Sequence, residues 1–481
     1  MYREKRERYH LERQEHWERV HAHVAEPSLF ARAYQRRIAE VYEHRIAAGS
    51  SILEVGCGCG RLLRALRPSR GVGIDFSARA VETARRETDG ESIVYHRLEA
   101  STLRDFPAEP FDFIILSDVL NDLWDVQELL AALQRFSSPH TRLLINMQSH
   151  LWKWPLKVAQ AVGMAQPTLE QNWLTVQDLR NLLHLTGWEF MESWPEVLFP
   201  ADVPGMAPVL NRFIGKLFPF YHFCLTNFVI ARPPGLLRSN TGLPSVSVIV
   251  PARNEEGNIV DIFRRVPQMG RETELIFVEG GSTDRTREKI EEEKQHFQRL
   301  PCSLYAQAGT GKRDAVRLGF DKARGDILMI LDADLTVAPE ELMRFYEALV
   351  SGKGEFINGV RLVYPLEKEA MQFCNMLGNR FFSQGFSWVL GQPIKDTLCG
   401  TKVLWRRDYE RLVANRPYFG DFDPFGDFDL LFGAAKLNLK ILDLPIRYFE
   451  RQYGTTNISR WRHGFWLLLM LISGARRLKF V

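Results

Sequence analysis

Two carboxylates set two residues apart, Asp332 and Asp334, end the apolar run Asp326-Ile-Leu-Met-Ile-Leu-Asp-Ala-Asp-Leu-Thr336. On an extended chain, residues i and i+2 point the same way, so both acids share one side. Like charges so placed repel unless a cation joins them. A divalent ion bridged to a diphosphate leaving group is the chemistry that suits this pair. A second constellation lies earlier, in Ile52-Leu-Glu-Val-Gly-Cys-Gly-Cys-Gly60 and the helical run Arg61–Leu66. Glycines at 56, 58 and 60 remove β-carbons where backbone must approach a ligand, and the helix start offers unpaired amides. Asp75 ends the next apolar run, 75 − 60 = 15 residues past the last glycine, where a carboxylate can accept hydrogen bonds from both ribose hydroxyls of an adenosyl group. A dinucleotide fingerprint places its third glycine one residue later, where Arg61 stands, and has no need of Glu54. The spacing therefore favours S-adenosylmethionine (SAM) over NAD.

These residues need two separate frameworks. At 481 residues the chain is too long for one ordinary core and predicts two domains. Its 45% hydrophobic and 25% charged residues are those of a globular protein, and 62 basic against 59 acidic groups give no argument for nucleic acid as a partner. Proline, glycine and small polar residues break the periodicity around Arg232–Pro244, which reads as a linker. On either side, β-branched runs alternate with amphipathic stretches, the pattern of sheets with crossover helices. Predicted strands are Ile52–Val55, Val72–Asp75, Ile93–His96, Phe113–Leu116, Leu143–Met147, Glu189–Glu192 and Asn227–Ala231, then Val246–Val250, Glu274–Val278, Ser303–Ala306, Ile327–Leu331 and Ile441–Tyr448. The expected boundaries are a charged helix over 1–29, a first domain over 30–233, a linker over 234–244, a second domain over 245–460 and an amphipathic helix over 461–481.

The N-terminal segment lacks the apolar core of a signal peptide, which predicts a cytoplasmic location. Glu4 and Arg8 are spaced as i, i+4 partners of a solvated helix, and His21 and His23 read as surface residues. The cysteines, at 57, 59, 224, 302, 374 and 399, are scattered and predict reduced thiols.

The acid-x-Gly-x-Gly-x-Gly motif with its following acid resembles the class I SAM-dependent methyltransferases. That resemblance implies that Glu54, Gly56, Gly58 and Gly60 hold the methionine end of SAM and Asp75 its ribose. Glu99 and Ala100 would lie near the adenine, and Ser117 and Asp118 would line the mouth of the site. The family has no universal catalytic residue, because methyl transfer mainly needs an oriented nucleophile. Asp118, Asn121 and His150 are candidates for aligning or deprotonating an acceptor hydroxyl. Trp152, Trp154 and Trp173 either roof a substrate pocket or pack in the core.

In the second half, Val246-Ser-Val-Ile-Val-Pro-Ala-Arg-Asn-Glu-Glu256 and Glu274-Leu-Ile-Phe-Val-Glu-Gly-Gly-Ser-Thr-Asp-Arg-Thr are strands that end in polar turns, as ligand crevices of open α/β sheets do. With the paired aspartates, this half resembles the family 2 glycosyltransferases of the GT-A fold and is similar to their polyprenyl-phosphate sugar synthase branch. The resemblance implies that Pro251, Arg253, Glu255 and Glu279 surround the nucleoside of a nucleotide-sugar donor. Lys312 and Asp314 would approach its ribose or phosphates, while Asp332 and Asp334 would hold Mg²⁺ or Mn²⁺. Asp396 falls in a segment on the sugar and acceptor side, and Asp429 matches the acidic position of the general base, with Asp427 as a rival. Arg451-Gln-Tyr-Gly-Thr-Thr-Asn457 matches a phosphate-gripping loop. The chain departs from the pattern at Glu279-Gly-Gly, in place of paired aspartates, at Thr336, in place of a glutamine, and at Asn457, in place of a lysine.

The apolar stretch Gly464–Ala475 is shorter than the roughly 20 residues that span a bilayer. Arg460, Arg462 and His463 precede it, and Arg476, Arg477 and Lys479 follow. Two readings stay open: a helix lying at an anionic membrane surface on the cytoplasmic side, or one packed on the core. The expected fold is α/β, a Rossmann-like methyltransferase sheet followed by a GT-A nucleotide-sugar-binding domain. Its expected function is bifunctional: inverting sugar transfer to a lipid-phosphate or glycan acceptor, and methyl transfer from SAM, in cell-envelope glycan or glycolipid synthesis. A first half that only binds SAM, as a regulatory or scaffold module, is the alternative. An oxidoreductase fused to a nucleotidyltransferase fits the spacing poorly.

Overall fold

Runs such as Phe113-Ile-Ile-Leu116 and Leu143-Leu-Ile145 are apolar on both faces, as suits strands covered by helices on two sides. The computed structural model describes the chain except for residues 23–28, 89, 91, 163–167, 236–241, 362–372, 420–422, 424, 425, 427, 452 and 454–459. His23, Asp427, Asn457 and the middle of the expected linker thus lie outside the described residues, as do the side chains of Ala100, Cys374, Arg460, Arg462 and His463. Two units are distinguished, Met1–Pro234 with Phe480–Val481, and Gly235–Lys479.

The first unit contains strands β1 (Ser51–Val55), β2 (Arg70–Asp75), β3 (Ile93–Arg97), β4 (Phe113–Ser117), β5 (Arg142–Gln148), β6 (Glu189–Glu196) and β7 (Thr226–Arg232). Its helices are α1 (Tyr2–Ala22), α2 (Leu29–Arg45), α3 (Arg61–Leu66), α4 (Ala78–Arg86), α5 (Val126–Leu133), α6 (Lys153–Ala161), α7 (Val176–Leu185) and the short α8 (Met206–Pro208). The sheet order is β3-β2-β1-β4-β5-β7-β6. Neighbours from β3 to β5 run parallel, and β7 is antiparallel to both β5 and β6. Alternate residues split between two cores. Leu53, Val55, Ile114 and Leu116 join α5 and α7 on one face, while Ile52, Phe113 and Ile115 join α2, α3 and α4 on the other. Strand β6 extends beyond the expected Glu192 to Glu196 because Pro195 falls on an edge strand, where a missing N–H costs little.

The second unit contains β8 (Val246–Ala252), β9 (Thr273–Glu279), β10 (Cys302–Ala306), β11 (Ile327–Ile330), β12 (Phe356–Val360), β13 (Lys402–Trp405) and β14 (Ile441–Pro445). Its helices are α9 (Ile259–Arg265), α10 (Thr286–His296), α11 (Lys312–Lys322), α12 (Leu342–Val350), α13 (Phe373–Leu390), α14 (Arg406–Ala414), α15 (Arg416–Phe419), α16 (Phe428–Lys436) and α17 (Arg460–Gly474). The order is β10-β9-β8-β11-β13-β12-β14, parallel from β10 to β11 and antiparallel across β13. Both α/β sheets expected from the sequence are present. Strands β12 and β13 were not expected: Asn358-Gly359 interrupts the first, and the second begins at Lys402, which is fully buried with its Nζ donating to the Cys399 carbonyl. The last strand stops at Pro445, earlier than expected, and Tyr448 meets Val337 only through an isolated bridge.

Helix α1 is not the free, solvated helix that its charge suggests. Arg6 Nη2 pairs with Glu128 at 2.8 Å and the Tyr9 hydroxyl donates to the Leu123 carbonyl at 3.1 Å. Arg13 is buried, stacks on the Tyr9 ring at 3.4 Å and lies 3.7 Å from Asp122. Glu4 pairs with the N-terminal amine at 3.0 Å and Arg8 with Glu12 at 4.0 Å, rather than with each other. Nor is His21 simply on the surface, since it stacks on Trp17 and sits 3.7 Å from Cys59 Sγ.

Candidate active sites

In each unit the strand order reverses beside one central strand, between β1 and β4 in the first and between β8 and β11 in the second. Open α/β sheets leave a crevice at the carboxyl ends of the strands at this point. Part of the candidate set gathers at each crevice.

In the first unit the turn after β1 is left-handed at Gly56, Gly58 and Gly60, with φ of 79°, 49° and 71°. A β-carbon on Gly60 would come within 2.4 Å of the Tyr95 hydroxyl and one on Gly56 within 2.7 Å of Val119, whereas Gly58 faces open space. Gly56 and Gly60 are therefore fixed by packing, and Gly58 leaves room for a ligand. Asp75 ties the turn down: its Oδ2 accepts from Gly58 N at 2.8 Å and its Oδ1 from Ser77 N at 2.9 Å. Glu54 lies behind the turn, with Oε2 buried and without a hydrogen-bond partner. Burial, reinforced by the Asp75 charge, pushes its carboxyl up to about 8. The sequence did not suggest that α1 contributes here, yet Glu18 Oε1 accepts from Ala78 N at 2.6 Å and His21 rests beside Cys59. Glu99 is exposed and opens the 3-10 turn through its carbonyl, which accepts from Thr102 N at 3.0 Å.

Across the crevice, Asp118 follows Ser117 at the end of β4 with φ of 54°, an uncommon conformation for a non-glycine residue. The Tyr34 hydroxyl reaches both Asp118 oxygens at 3.0 and 2.9 Å, and Asn146 Nδ2 donates to Oδ1 at 2.8 Å. The Tyr42 hydroxyl in turn donates to Asn146 Oδ1 at 2.8 Å. Burial pushes the Asp118 carboxyl up to about 6, against the lowering effect of the Tyr34 and Asn146 hydrogen bonds. The other acceptor-side candidates are placed differently. Asn121 donates to the Asn172 carbonyl at 2.9 Å and His150 is exposed. Trp152 donates to the Phe223 carbonyl at 3.0 Å, and Trp154 is exposed rather than roofing a pocket.

In the second unit the segments that follow β8, β9, β10, β11 and β14 meet. After β8, the Glu255 amide donates to Thr286 Oγ1 and its carboxylate accepts from Asn258 Nδ2, each at 2.8 Å. Asn254, at φ of 56°, bonds to both Ser282 and Thr283. Pro251 and Arg253 flank this turn, and Glu279, closing β9, accepts from Ser282 N at 2.5 Å. Past β11, Asp332 lies 2.7 Å from Nζ of Lys312, the first residue of α11, and Asp334 lies 2.8 Å from Nη2 of Arg451, which is also 3.5 Å from Glu255. Burial raises the Glu255 carboxyl to about 7, opposed by Arg451. For Asp334, burial is outweighed by the hydrogen bonds from Arg451 and Thr336, which hold its carboxyl below the usual value. Thr336, noted as a departure, thus serves Asp334 directly through its hydroxyl at 2.8 Å. Among the described residues no cluster of three or more metal-binding side chains forms. Two hard carboxylate oxygens backed by cationic neighbours nonetheless suit a divalent ion whose remaining ligands come from a diphosphate.

The structure draws in one residue that the sequence did not single out. A β-carbon on Gly400 would fall 1.9 Å from Asp332 Oδ2 and 2.3 Å from Lys312 Nζ, so backbone passes directly against the ion pair. Asp314 is turned to its own loop, with Oδ2 accepting from Thr310 N at 3.1 Å. Asp396 is buried and gripped by Arg361 at 2.7 and 2.9 Å, with Leu398 N also donating at 3.0 Å. Asp429 meets Arg317 at 2.9 Å and Arg416 at 3.5 Å.

The two crevices lie on two separate α/β units. Residues 28–193 match the family model of a methyltransferase domain, and residues 247–412 match that of glycosyl transferase family 2. The chain therefore carries a methyltransferase domain followed by a family 2 glycosyltransferase domain. It is 27% identical over 234 residues to glycosyltransferase AglJ of Haloferax volcanii, covering 48% of this chain and 72% of that protein. To the undecaprenyl-phosphate 4-deoxy-4-formamido-L-arabinose transferase of Pseudomonas aeruginosa it is 32% identical over 111 residues, 22% of this chain but only 33% of the relative. The Pectobacterium carotovorum protein of the same name is 32% identical over 224 residues, 45% of this chain and 63% of the relative. A SAM-dependent methyltransferase structure from Mesorhizobium loti aligns with 40% of this chain and 96% of its own, at 19% identity and a TM-score of 0.32. Glucosyl-3-phosphoglycerate synthase from Mycobacterium tuberculosis aligns with 49% of this chain and 80% of its own, at 17% identity and a TM-score of 0.36.

Proposed function

We propose that the chain is a bifunctional transferase. Its second unit moves a sugar, with inversion, from a nucleotide-sugar to a lipid phosphate, and its first methylates an acceptor hydroxyl with SAM, in cell-envelope glycan or glycolipid synthesis at the cytoplasmic face of the membrane. The observation that carries this reading is the meeting of Asp332, Asp334 and Glu255 with Lys312 and Arg451 on one rim. Acids and bases so interleaved match a ligand that brings both a diphosphate and a cation. Asp332 and Asp334 would hold Mg²⁺ or Mn²⁺. When bound, the ion supplies positive charge that offsets the diphosphate as it departs. Lys312 and Arg451 supply further positive charge to the phosphates. Pro251, Arg253, Glu255 and Glu279 border the nucleoside side, with Asp314 shaping the loop before α11.

The relatives named for undecaprenyl-phosphate support a lipid-phosphate acceptor. Such a phosphate is already ionised and needs no general base. This suits Asp429, whose carboxylate is engaged by Arg317 and Arg416, better than proton abstraction from a hydroxyl. Asp396, saturated by Arg361, sets the acceptor-side loop rather than handling protons. No helix among the described residues is long and apolar enough to cross a membrane. In α17, Leu467 and Met470 are buried while Phe465, Leu468 and Ile472 are exposed, so packing on the core still leaves an apolar face. That face, followed by Arg476, Arg477 and Lys479, suits an anionic membrane surface.

In the first unit the Glu54 carboxyl, with one buried oxygen lacking a hydrogen-bond partner, and the open space at Gly58 suit the cationic methionine end of SAM, while Asp75, whose oxygens accept from Gly58 N and Ser77 N, would meet the ribose with its remaining lone pairs. SAM supplies the electrophilic methyl group. Asp118, held by Tyr34, is placed to orient and deprotonate an acceptor hydroxyl. The test is turnover by the full chain of a nucleotide-sugar panel with undecaprenyl phosphate, with and without EDTA, alongside labelled SAM. EDTA-sensitive glycolipid formation is expected, and no product from any donor would overturn the reading. If Asp75→Ala ends methyl transfer and spares sugar transfer, the first unit is an enzyme rather than a scaffold.

A further inference from the structure

Helix α6 carries its apolar stripe on the wrong side for a globular domain. Trp154 and Val158 lie on α6, with Leu151 in the 3-10 turn just before it and Val162 just after its last residue; the four are spaced three, four and four residues apart and all are exposed, Trp154 to 70%. No residue of α6 is buried. The segment before β7 continues the surface. The Trp152 indole bonds to the Phe223 carbonyl, and Phe218, 76% exposed, stands there with Phe220 and Phe223. Exposed apolar residues on two segments joined in this way mark an interaction site.

The charge on these segments selects the occupant. Neither 149–162 nor 203–225 contains an aspartate or glutamate, whereas His150, Lys153, Lys157 and His222 border the apolar residues. Lys157 Nζ lies 5.5 Å from the Trp154 ring, a stem laid along the apolar face with its charge at the edge. Exposed aromatics interleaved with lysines are what an interfacial helix presents to anionic headgroups, and the exposed Asp178 interacts with His150 at one end of the surface. The location fits as well. Residue 149 directly follows β5, whose Asn146 holds Asp118, and its amide bonds to the Leu225 carbonyl at 2.8 Å. The apolar surface thus begins at the same sheet edge as the methyl-acceptor side of the crevice.

We infer that the methyltransferase unit docks on an anionic lipid surface through α6 and the 218–223 segment, independently of α17, and draws its methyl acceptor from that surface as a lipid-linked hydroxyl. The acceptor part of this inference rests on the methyl-transfer reading above, whereas the docking part is read by binding alone. The experiment is sedimentation of the full chain with phosphatidylcholine vesicles containing or lacking phosphatidylglycerol. It compares the wild type, Trp154→Glu/Phe218→Glu/Phe223→Glu, Lys153→Glu/Lys157→Glu and, separately, Phe465→Glu/Leu468→Glu in α17. The triple variant should lower partitioning by about tenfold or more, both alone and when combined with Phe465→Glu/Leu468→Glu, and the lysine pair should lower it only on anionic vesicles. All these positions are at the surface, and an unchanged melting temperature and unchanged sugar transfer to a short-chain polyprenyl phosphate in detergent would exclude misfolding. Partitioning of the triple variant equal to wild type overturns the proposal. So does concentration-dependent self-association, abolished by the triple variant, in a protein that does not bind vesicles; that result would assign the face to a second copy.

Discussion

The two crevices share a topology and differ in electrostatics. At the first, a glycine turn is lashed by the Asp75 carboxylate to backbone amides, and the acid behind it, Glu54, has an oxygen that meets no donor. At the second, Asp332 is met by Lys312 and Asp334 by Arg451. A buried acid lacking a donor for one oxygen is costly by itself and becomes favourable when a cation arrives. Acids already matched with cations exchange partners when a diphosphate and a metal ion enter together. On the proposed reading, the same sheet plan would receive a positively charged donor in one unit and a negatively charged, metal-bound donor in the other.

The comparison breaks most visibly at the paired aspartates. Asp332→Asn with Asp334→Asn should lower sugar transfer by about a thousandfold or more, because charge stabilisation of the leaving group is lost, and should leave methyl transfer intact in product assays on one preparation. At the methyl site the expected loss is smaller. Asp118→Asn should cost roughly a hundredfold, the lower range for a general base. The wild-type rate should rise with pH through about 6 as Asp118 loses its proton. Tyr34→Phe should move that rise to higher pH, since the Tyr34 hydrogen bond favours the ionised carboxylate. A rate profile with no acidic limb would remove Asp118 from the mechanism.

Gly400→Ala is a finer probe, because its methyl group would strike Asp332 and Lys312 without touching the nucleoside side. Sugar transfer should fall by about tenfold at near-constant melting temperature; an equal loss of stability would make the position merely structural. The smallest effect is expected at Glu54, and its sign is fixed. Its carboxyl is raised from 4.5 to about 8 in the fold, so its contribution to stability is complete below 4.5 and is lost as pH rises through about 8. Without SAM, the wild type should therefore melt a few degrees lower at pH 9 than at pH 5, and Glu54→Gln should flatten that slope. A slope shared by both proteins would point to another group.

Much of this arrangement was legible in the sequence because it depends on local chemistry. Glycines at alternate positions, an acid closing a strand and two acids two residues apart each state a backbone geometry within a short window. Strands β1 to β5 were readable for the same reason, as apolar runs bounded by turns. What escaped were features made by distant partners. Helix α1 docks through Arg6, Tyr9, Arg13 and Trp17, polar and aromatic residues whose spacing is helical but whose composition reads as solvated. Strand β13 begins with a buried lysine satisfied by a carbonyl three residues earlier, a solution that apolar periodicity does not reveal. Gly400 matters only because Asp332 and Lys312 come from other elements. Asp396 is conspicuous in sequence as an acid in a polar loop, yet Arg361 occupies it from the end of β12.

The two donor sites are expected to answer separately. Calorimetric titration of SAM into the full chain, Asp75→Ala and Asp332→Asn/Asp334→Asn, with nucleotide-sugar turnover read on the same three preparations, tests this. SAM should bind the wild type and the double variant but not Asp75→Ala, while turnover should survive in Asp75→Ala and fail in the double variant. No SAM binding by the wild type, or one substitution silencing both readouts, would contradict it.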